Sequence, residues 1–551
     1  MKRKTKVGLL GIVRKTIKNY QKGKEMNRFM KRTTIGSVMR GICYGFAALL
    51  FATSCANDDV AQDEKQKKDN IPAGTTVFTG TSQPDATTRT AILNHTKGTG
   101  ASVNWNSTDK IWVKDDAGTW QQSATATIPS AANQSFAKFS LSGTYTGASH
   151  DIIYTNTAVT GSQPQVEIKA TQTQSDPNNF DHAGESGDCG IATGNKAGND
   201  YTFTLNHKAS YLCFIPRTNN EYVKRSKLIK VELMSDDEIA GTYNMAADGT
   251  LTLASGGSKT ITVTTGSGFA IDNAADDMSK NATYAVVAPG THTFRIRYWL
   301  RNTTDNPDGA IEGTVSKIVT LNCTAGSIHD ITANLNPYDY DGDHYYMWDA
   351  QEQYWKGYEW NKGGSQPTLN MGRSNVYAKS NTDSRYYNES YPGSGISNPA
   401  THSCANLPNI NELTWYAVKG NPCVDTDELW TTMGHLYKGG MWFKKKMHIS
   451  GFNTNTAVDG IDWRLKHDND RWRASTILPS AADANNYFYL PALGYSSSDL
   501  LYGIGTEGDY WSSSATAGSQ TDIAYCLSFY SGYVFITNSY RYGGYRIGVF
   551  E

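Results

Sequence analysis

Long apolar runs are scarce in this 551-residue chain. Gly41 to Phe51 is the one continuous stretch, and it is too short to span a bilayer as a permanent helix. Nothing after it is apolar enough to cross a membrane, so the remainder is expected to be soluble. An excess of one charge is missing as well: 51 Lys and Arg against 52 Asp and Glu leave a formal net charge of −1. That balance argues against nucleic acid, whose phosphates ask for a basic face. Cysteine is sparse, with eight in all: Cys43 and Cys55 early, then Cys189, Cys213, Cys323, Cys404, Cys423 and Cys526. None has CxxC spacing, so neither a zinc nor a thioredoxin-like site is expected. The patterns GxSxG, HExxH and Walker are absent, and no enzyme and no cofactor are expected. Asp339-Tyr340-Asp341-Gly342-Asp343 opens like a calcium loop, but His344 and Ala350 stand where that loop needs Gly and Glu. It reads as a solvated linker, with no metal.

What is present begins with Leu49-Leu50-Phe51-Ala52-Thr53-Ser54-Cys55. An apolar run ending in small residues before one cysteine is how a bacterial lipoprotein signal ends, and Lys31, Arg32 and Arg40 supply its basic flank. Residues 1–54 read as this signal, with Met26 or Met30 as alternative starts, and Cys55 as the lipidated residue. The acidic residues after Cys55 resemble the surface-export signal of Bacteroidota lipoproteins, which implies outer-membrane lipid anchoring and a cell-surface location. Residues 55–74 are charged and nearly free of apolar side chains, hence a flexible tether.

Charged residues are only 19% of the chain, while Tyr, Trp, Gly, Ser, Thr and Asn abound, a mix suited to β-rich extracellular folds with polar loops. From Thr75 to about Asn336 strands follow one another. Tyr201-Thr202-Phe203-Thr204-Leu205 alternates cleanly. Between Thr293 and Arg301, Phe294, Ile296, Tyr298 and Leu300 face one way, and Arg295, Arg297, Trp299 and Arg301 face a solvated side. The expected architecture is mainly β: two tandem transthyretin-like antiparallel sandwiches over 75–199 and 200–337, then an α+β domain over 338–551. In that last domain Pro408, Ile410, Leu413 and Ala417 predict a short helix before Gly420. A second helix is expected from Asp427 to Leu436, and strands from Ala524 to Tyr530, Val534 to Thr537 and Tyr545 to Phe550. Cys404 and Cys423 lie in one loop-rich region and are the candidate disulfide. Cys526, flanked by Tyr525 and Leu527 in an alternating strand, reads as a buried small hydrophobe.

Thr87-Thr88-Arg89-Thr90, Val103-Asn104-Trp105, Asp109-Lys110-Ile111-Trp112-Val113, the run Phe203 to Leu212 and Val287-Ala288-Pro289-Gly290 give the β-rich half its resemblance to the fimbrillin family of Bacteroidota. Leu407-Pro408-Asn409-Ile410-Asn411-Glu412-Leu413, Leu490 to Tyr495, Gly508 to Ser514, and Arg541 to Ile547 are similar to the domain family named for major paralogous proteins of Fibrobacter, which has a C-type-lectin-like fold. This chain has Ala405-Asn406 where that family has Trp-Arg before its Leu-Pro, so binding details of the family do not transfer.

The fimbrillin resemblance implies a pilus subunit assembled by donor-strand addition. Thr76 to Gly80 would be the removable strand, Arg89 the protease site, and other fimbrial subunits the partners. The C-terminus ends at Phe550-Glu551 inside an expected strand and offers no tail to donate, so the expected place is the tip, with the last domain as adhesin for a glycan or protein on host or microbial surfaces. Tyr533, Tyr540, Arg541 and Tyr542 are the ligand-binding candidates, as aromatic platforms beside a cation. The alternative is a monomeric surface lipoprotein that binds glycan.

Overall fold

The computed structural model describes residues 72, 74–81, 91–93, 95–99 and 101–551, apart from 132, 306–308, 370, 371, 392, 394, 467 and 549. The signal, Cys55, the tether and Arg89 lie outside the described residues. Among the described residues the chain is mainly β, with no helix long and apolar enough to cross a membrane.

The first sheet has eight strands, its main path running Trp120–Gln122, Trp112–Lys114, Ser149–Tyr154, Gly190–Ala197, Asp200–Thr204, Thr76–Thr81 and Ala137–Leu141. Period-two alternation makes it: Tyr201 and Phe203 turn inward while Asp200, Thr202 and Thr204 stay exposed. Phe78, Trp105, Phe139, Ile152, Tyr201 and Phe203 form its core.

The second body is a sandwich. One layer centres on Ser210–Arg217, paired antiparallel with Thr283–Val287 and parallel with Ile328–Asn334. The other contains Thr260–Ala270, Lys227–Ser235, Gly290–Asn302 and Ile311–Cys323. Phe214 meets Tyr298 across the layers, ring centroids 6.2 Å apart. The two bodies do not divide at Asp200 as expected. Gln165–Ile168 and Thr171–Thr173 already pair into the second body, with Ala240–Met245 and Thr260–Ala270, before the chain returns to complete the first sheet with Gly190–Ala197 and Asp200–Thr204. Alternation identifies a strand but not the sheet it joins, so a linear boundary could not show this exchange.

The C-terminal part carries the expected helix, Ile410–Val418. Asn409 caps it: its side chain accepts from the Glu412 amide, and the Glu412 carboxylate accepts from the Asn409 amide. A six-stranded sheet orders Tyr345–Tyr346, Tyr545–Arg546, Gly508–Ala515, Ile523–Tyr530, Tyr533–Tyr540 and Asp470–Arg473. The helix expected from Asp427 to Leu436 is instead a β-hairpin, Cys423–Thr432 with His435–Lys444. Its two turn residues, Met433 and Gly434, have φ of 46° and 75°, the geometry that joins two twisted strands directly.

This hairpin continues the sheet of the second sandwich, with Thr314 opposite Glu428. The linker expectation fails with it, because Tyr338–Asp339 pairs alongside Cys423–Thr432 and the Thr431 hydroxyl donates to Asp339 at 2.9 Å. The solvated face holds only at its end: Arg301 is exposed, but Arg295 and Arg297 are only 2% and 7% exposed, because the C-terminal part covers them. Arg295 donates to the Pro479 carbonyl and Arg297 to the Asp425 carboxylate.

Candidate functional site

The first strand, Thr76–Thr81, is seated inside its sheet. It runs parallel to Asp200–Thr204 and antiparallel to Ala137–Leu141, so both of its edges are paired. Phe78 is fully buried, stacked on Tyr201 with centroids 4.6 Å apart and rings within 8° of parallel, and it meets Tyr145 edge-on at 5.2 Å. Gly80 lies against Phe203 and Trp105, where a Cβ would sit 2.8 Å and 3.0 Å from their rings. The seat therefore reads side-chain size at alternate positions, a large ring and then none.

In the C-terminal part the tyrosine candidates separate. Tyr540 and Tyr542 are 50% and 39% exposed and stack with centroids 5.0 Å apart and rings 13° from parallel. Tyr533 begins the strand that Tyr540 ends, which places them about 23 Å apart at strand rise. It is half-buried, beneath the Arg471 guanidinium at 5.5 Å. Arg541 is not a ligand contact. It is fully buried, donates to the carbonyls of Ile523, Asn388 and Ser390 at 2.9–3.0 Å, and lies 4.5 Å over the Trp348 ring. The strand ends at Tyr540, and in the turn that follows Arg541 is buried, with Nε and Nη1 taken by those carbonyls and Nη2 left without a hydrogen-bond partner.

A cavity of about 390 Å³ opens elsewhere in this part, its walls including Tyr338, Asp339, His344, Lys445, Tyr487 and Arg546. Sequence reasoning missed it by taking Tyr338 to Asp343 for a linker, although dense acids and aromatics in so short a run were the available signal. The Arg546 guanidinium donates to the Asp341 carbonyl at 2.7 Å and fixes that wall. Within the lysine run, Lys445 pairs with Glu551 at 2.6 Å and Lys444 lies 5.6 Å over the Tyr487 ring. Aromatic faces beside carboxylate and cationic groups suit a polar, ring-shaped ligand.

Asp509 is buried in the same sheet, where one carboxylate oxygen accepts from Ser528 at 2.6 Å and the other has no partner. Burial pushes its pKa up to about 7. A raised carboxyl stabilises the fold fully below the unfolded value of about 3.9, and that contribution is lost as pH rises toward the folded value. Replacing Asp509 with Asn should remove this dependence. In urea unfolding, wild type should lose roughly 2–3 kcal/mol more than the variant on going from about pH 5 to about pH 8.

The expected Cys404–Cys423 disulfide does not form. The Cys404 sulfur accepts from the Asp349 amide, Cys423 donates to the Asn421 carbonyl, and both thiols are free and buried. Cys404 packs into a cluster with Trp348 and Trp511, whereas Cys423 starts the hairpin. Shared loop content did not imply contact. Cys526 is fully buried beside Ser528 and Thr537. Among the described residues two groups could hold a metal: Asp341, Asp343 and His344, all exposed, and His95, Cys213 and Asp330, largely buried.

No family model and no curated protein matches the chain. Solved structures similar to it include a fimbrial protein from Bacteroides ovatus, at 10% identity and a TM-score of 0.23, with 86% of this chain and 98% of that one covered. The fimbrial anchor protein Mfa2 from Porphyromonas gingivalis is similar at 11% identity and a TM-score of 0.22, covering 47% of this chain and 90% of that one.

Proposed function

We propose that this chain is a fimbrial subunit, exported as a lipoprotein through Cys55, whose first strand holds a place for a strand from another subunit. Cleavage after Arg89 would release Thr76–Thr81, and strand addition would refill the seat. The observation that carries this reading is the seat itself, an inserted strand paired on both edges with Phe78 fully buried. Emptying it leaves unpaired backbone groups along Asp200–Thr204 and Ala137–Leu141, each costing about 1–3 kcal/mol if kept from water. That cost drives refilling by a partner.

The C-terminal part is proposed as a C-type-lectin-like adhesin at the fimbrial tip, with a glycan or a protein surface as ligand. The Tyr540–Tyr542 stack and the cavity beside Tyr338 and Tyr487 support it. The same complete seating of Phe78 favours the second reading, a monomeric glycan-binding lipoprotein that keeps its first strand.

N-terminal sequencing and intact mass of cell-surface protein separate the two. A start at Thr90 in wild type, lost together with assembly in Arg89→Ala, is the expected outcome. A lipidated start at Cys55 in wild type would mean that the first strand is kept, leaving an anchor or a monomeric binding lipoprotein. Immunogold labelling along whole fimbriae would refute the tip position.

A further inference from the structure

We propose that His95, Cys213 and Asp330 form a binding site for a divalent cation of the zinc type, independent of the strand-replacement reading. Cys213 and Asp330 are register partners on the parallel strands Ser210–Arg217 and Ile328–Asn334. His95 reaches them from the segment 95–99. A His95 ring nitrogen, the Cys213 Sγ and an Asp330 oxygen all lie within 4.8 Å of one another, and His95 Nε2 is 3.6 Å from that carboxylate.

Hydrogen bonding sets the state of each group. The Tyr284 hydroxyl has one proton and donates it to Asn178 Oδ1 at 2.5 Å. Its contact with His95 Nδ1, at 3.2 Å, then has Nδ1 as donor. This fixes the neutral tautomer whose Nε2 carries a free lone pair, the form that ligates metals, with its other nitrogen held by a second group. His95 is only 3% exposed, and its Nε2 has no hydrogen-bond partner. Asp330 is arranged in the same way: one oxygen accepts from the Gly98 amide at 2.7 Å, and the other, 3.6 Å from His95 Nε2, is buried and unpartnered. Two facing acceptors share this pocket with one weak donor, the Cys213 thiol, and a cation satisfies both acceptors more fully.

The donor set is nitrogen, sulfur and oxygen, which suits a borderline-soft ion. Bond lengths of about 2.0–2.3 Å would draw the three atoms together by up to about 1 Å. Binding converts the Cys213 thiol to thiolate and releases its proton. Three protein ligands leave one position for water, on the partly open side at Asp330. CxxC spacing could not signal this site, because its ligands come from three separated segments. The cation would fasten segment 95–99 to the second sandwich.

The test is Co²⁺ titration of the folded, untagged chain purified from cells, followed by Zn²⁺ competition. The expected result is a thiolate-to-Co²⁺ charge-transfer band that saturates at one equivalent, is abolished by Zn²⁺, and is absent in Cys213→Ser. His95→Gln should also lose it, and Tyr284→Phe should weaken binding about 10–100-fold. Should Cys213→Ser fail to fold, the unaltered chain still decides: its Tm should rise with stoichiometric Zn²⁺. No band and no rise in Tm would overturn the site, as would a band that survives in folded Cys213→Ser.

Discussion

Phe78→Ala should destabilise the N-terminal sandwich by about 3–5 kcal/mol in urea unfolding of the uncleaved chain. The ring is fully buried between Tyr201 and Tyr145, and its loss removes both its transfer free energy and contacts that the neighbouring strands cannot close up to replace. Trp105, in the same core, is a fluorescent reporter of the transition. The effect should also transfer to a separate strand. For a chain beginning at Thr90, a peptide of residues 75–81 should restore stability, and its Phe78→Ala form should bind at least about a hundredfold more weakly. Gly80 sharpens the rule, since a Cβ there would strike Phe203 and Trp105. An incoming strand that fits must carry a large apolar residue two positions before a glycine. A loss below about 1 kcal/mol for Phe78→Ala would mean the seat collapses around the missing ring and selects nothing.

The extent to which this architecture can be read from sequence follows the range of the forces involved. Tyr201 to Leu205 revealed a strand because its alternation is local, and Pro408 with the Ile410, Leu413 and Ala417 stripe revealed a short helix because that spacing is local too. The hairpin at Met433-Gly434 was misread because methionine rarely adopts positive φ, and the apolar residues from Leu429 to Leu436 fit a helix equally well. Arg295 and Arg297 on an alternating strand look solvated until Asp425 and Pro479, more than a hundred residues away, are seen to cover them. Arg541 beside two exposed tyrosines looked like a binding group, although it is fully buried and donates to three carbonyls. For the arginines the deciding partners were distant in sequence, while for the hairpin the deciding feature was a local turn that methionine does not signal. The fimbrillin resemblance pointed to Thr76 to Gly80 as a candidate removable strand, whereas the burial of Phe78 emerges only from its stack on Tyr201.

Arg297→Ala should be the most damaging change between the second sandwich and the C-terminal part, costing about 3–5 kcal/mol. Arg297 donates to Asp425 at 3.0 Å and to the Thr314 hydroxyl at 3.1 Å, with Asp427 at 3.6 Å. Glu428 sits nearby, taking hydrogen bonds from Ser316 and Thr314, and burial with the neighbouring Asp425 charge pushes its pKa up. Without the arginine, two buried carboxylates face each other unbalanced. Because the folded pKa of Glu428 is raised, the fold is better tolerated when that group is protonated, so the variant's deficit should be largest at neutral pH and above and should shrink as pH falls toward about 5. Replacing Arg297 and Asp425 together by leucine should recover much of the loss, since apolar pairs often stand in for buried ion pairs at little cost. The decisive readout is cooperativity. One residue pair, Thr314 with Glu428, joins the sheet of the second sandwich to the hairpin, so wild type should unfold these parts in one transition and Arg297→Ala in two. Two transitions already present in wild type would mean that the ion pairs fasten separately stable bodies. One transition in both would assign the coupling to the shared sheet at Thr314 and Glu428.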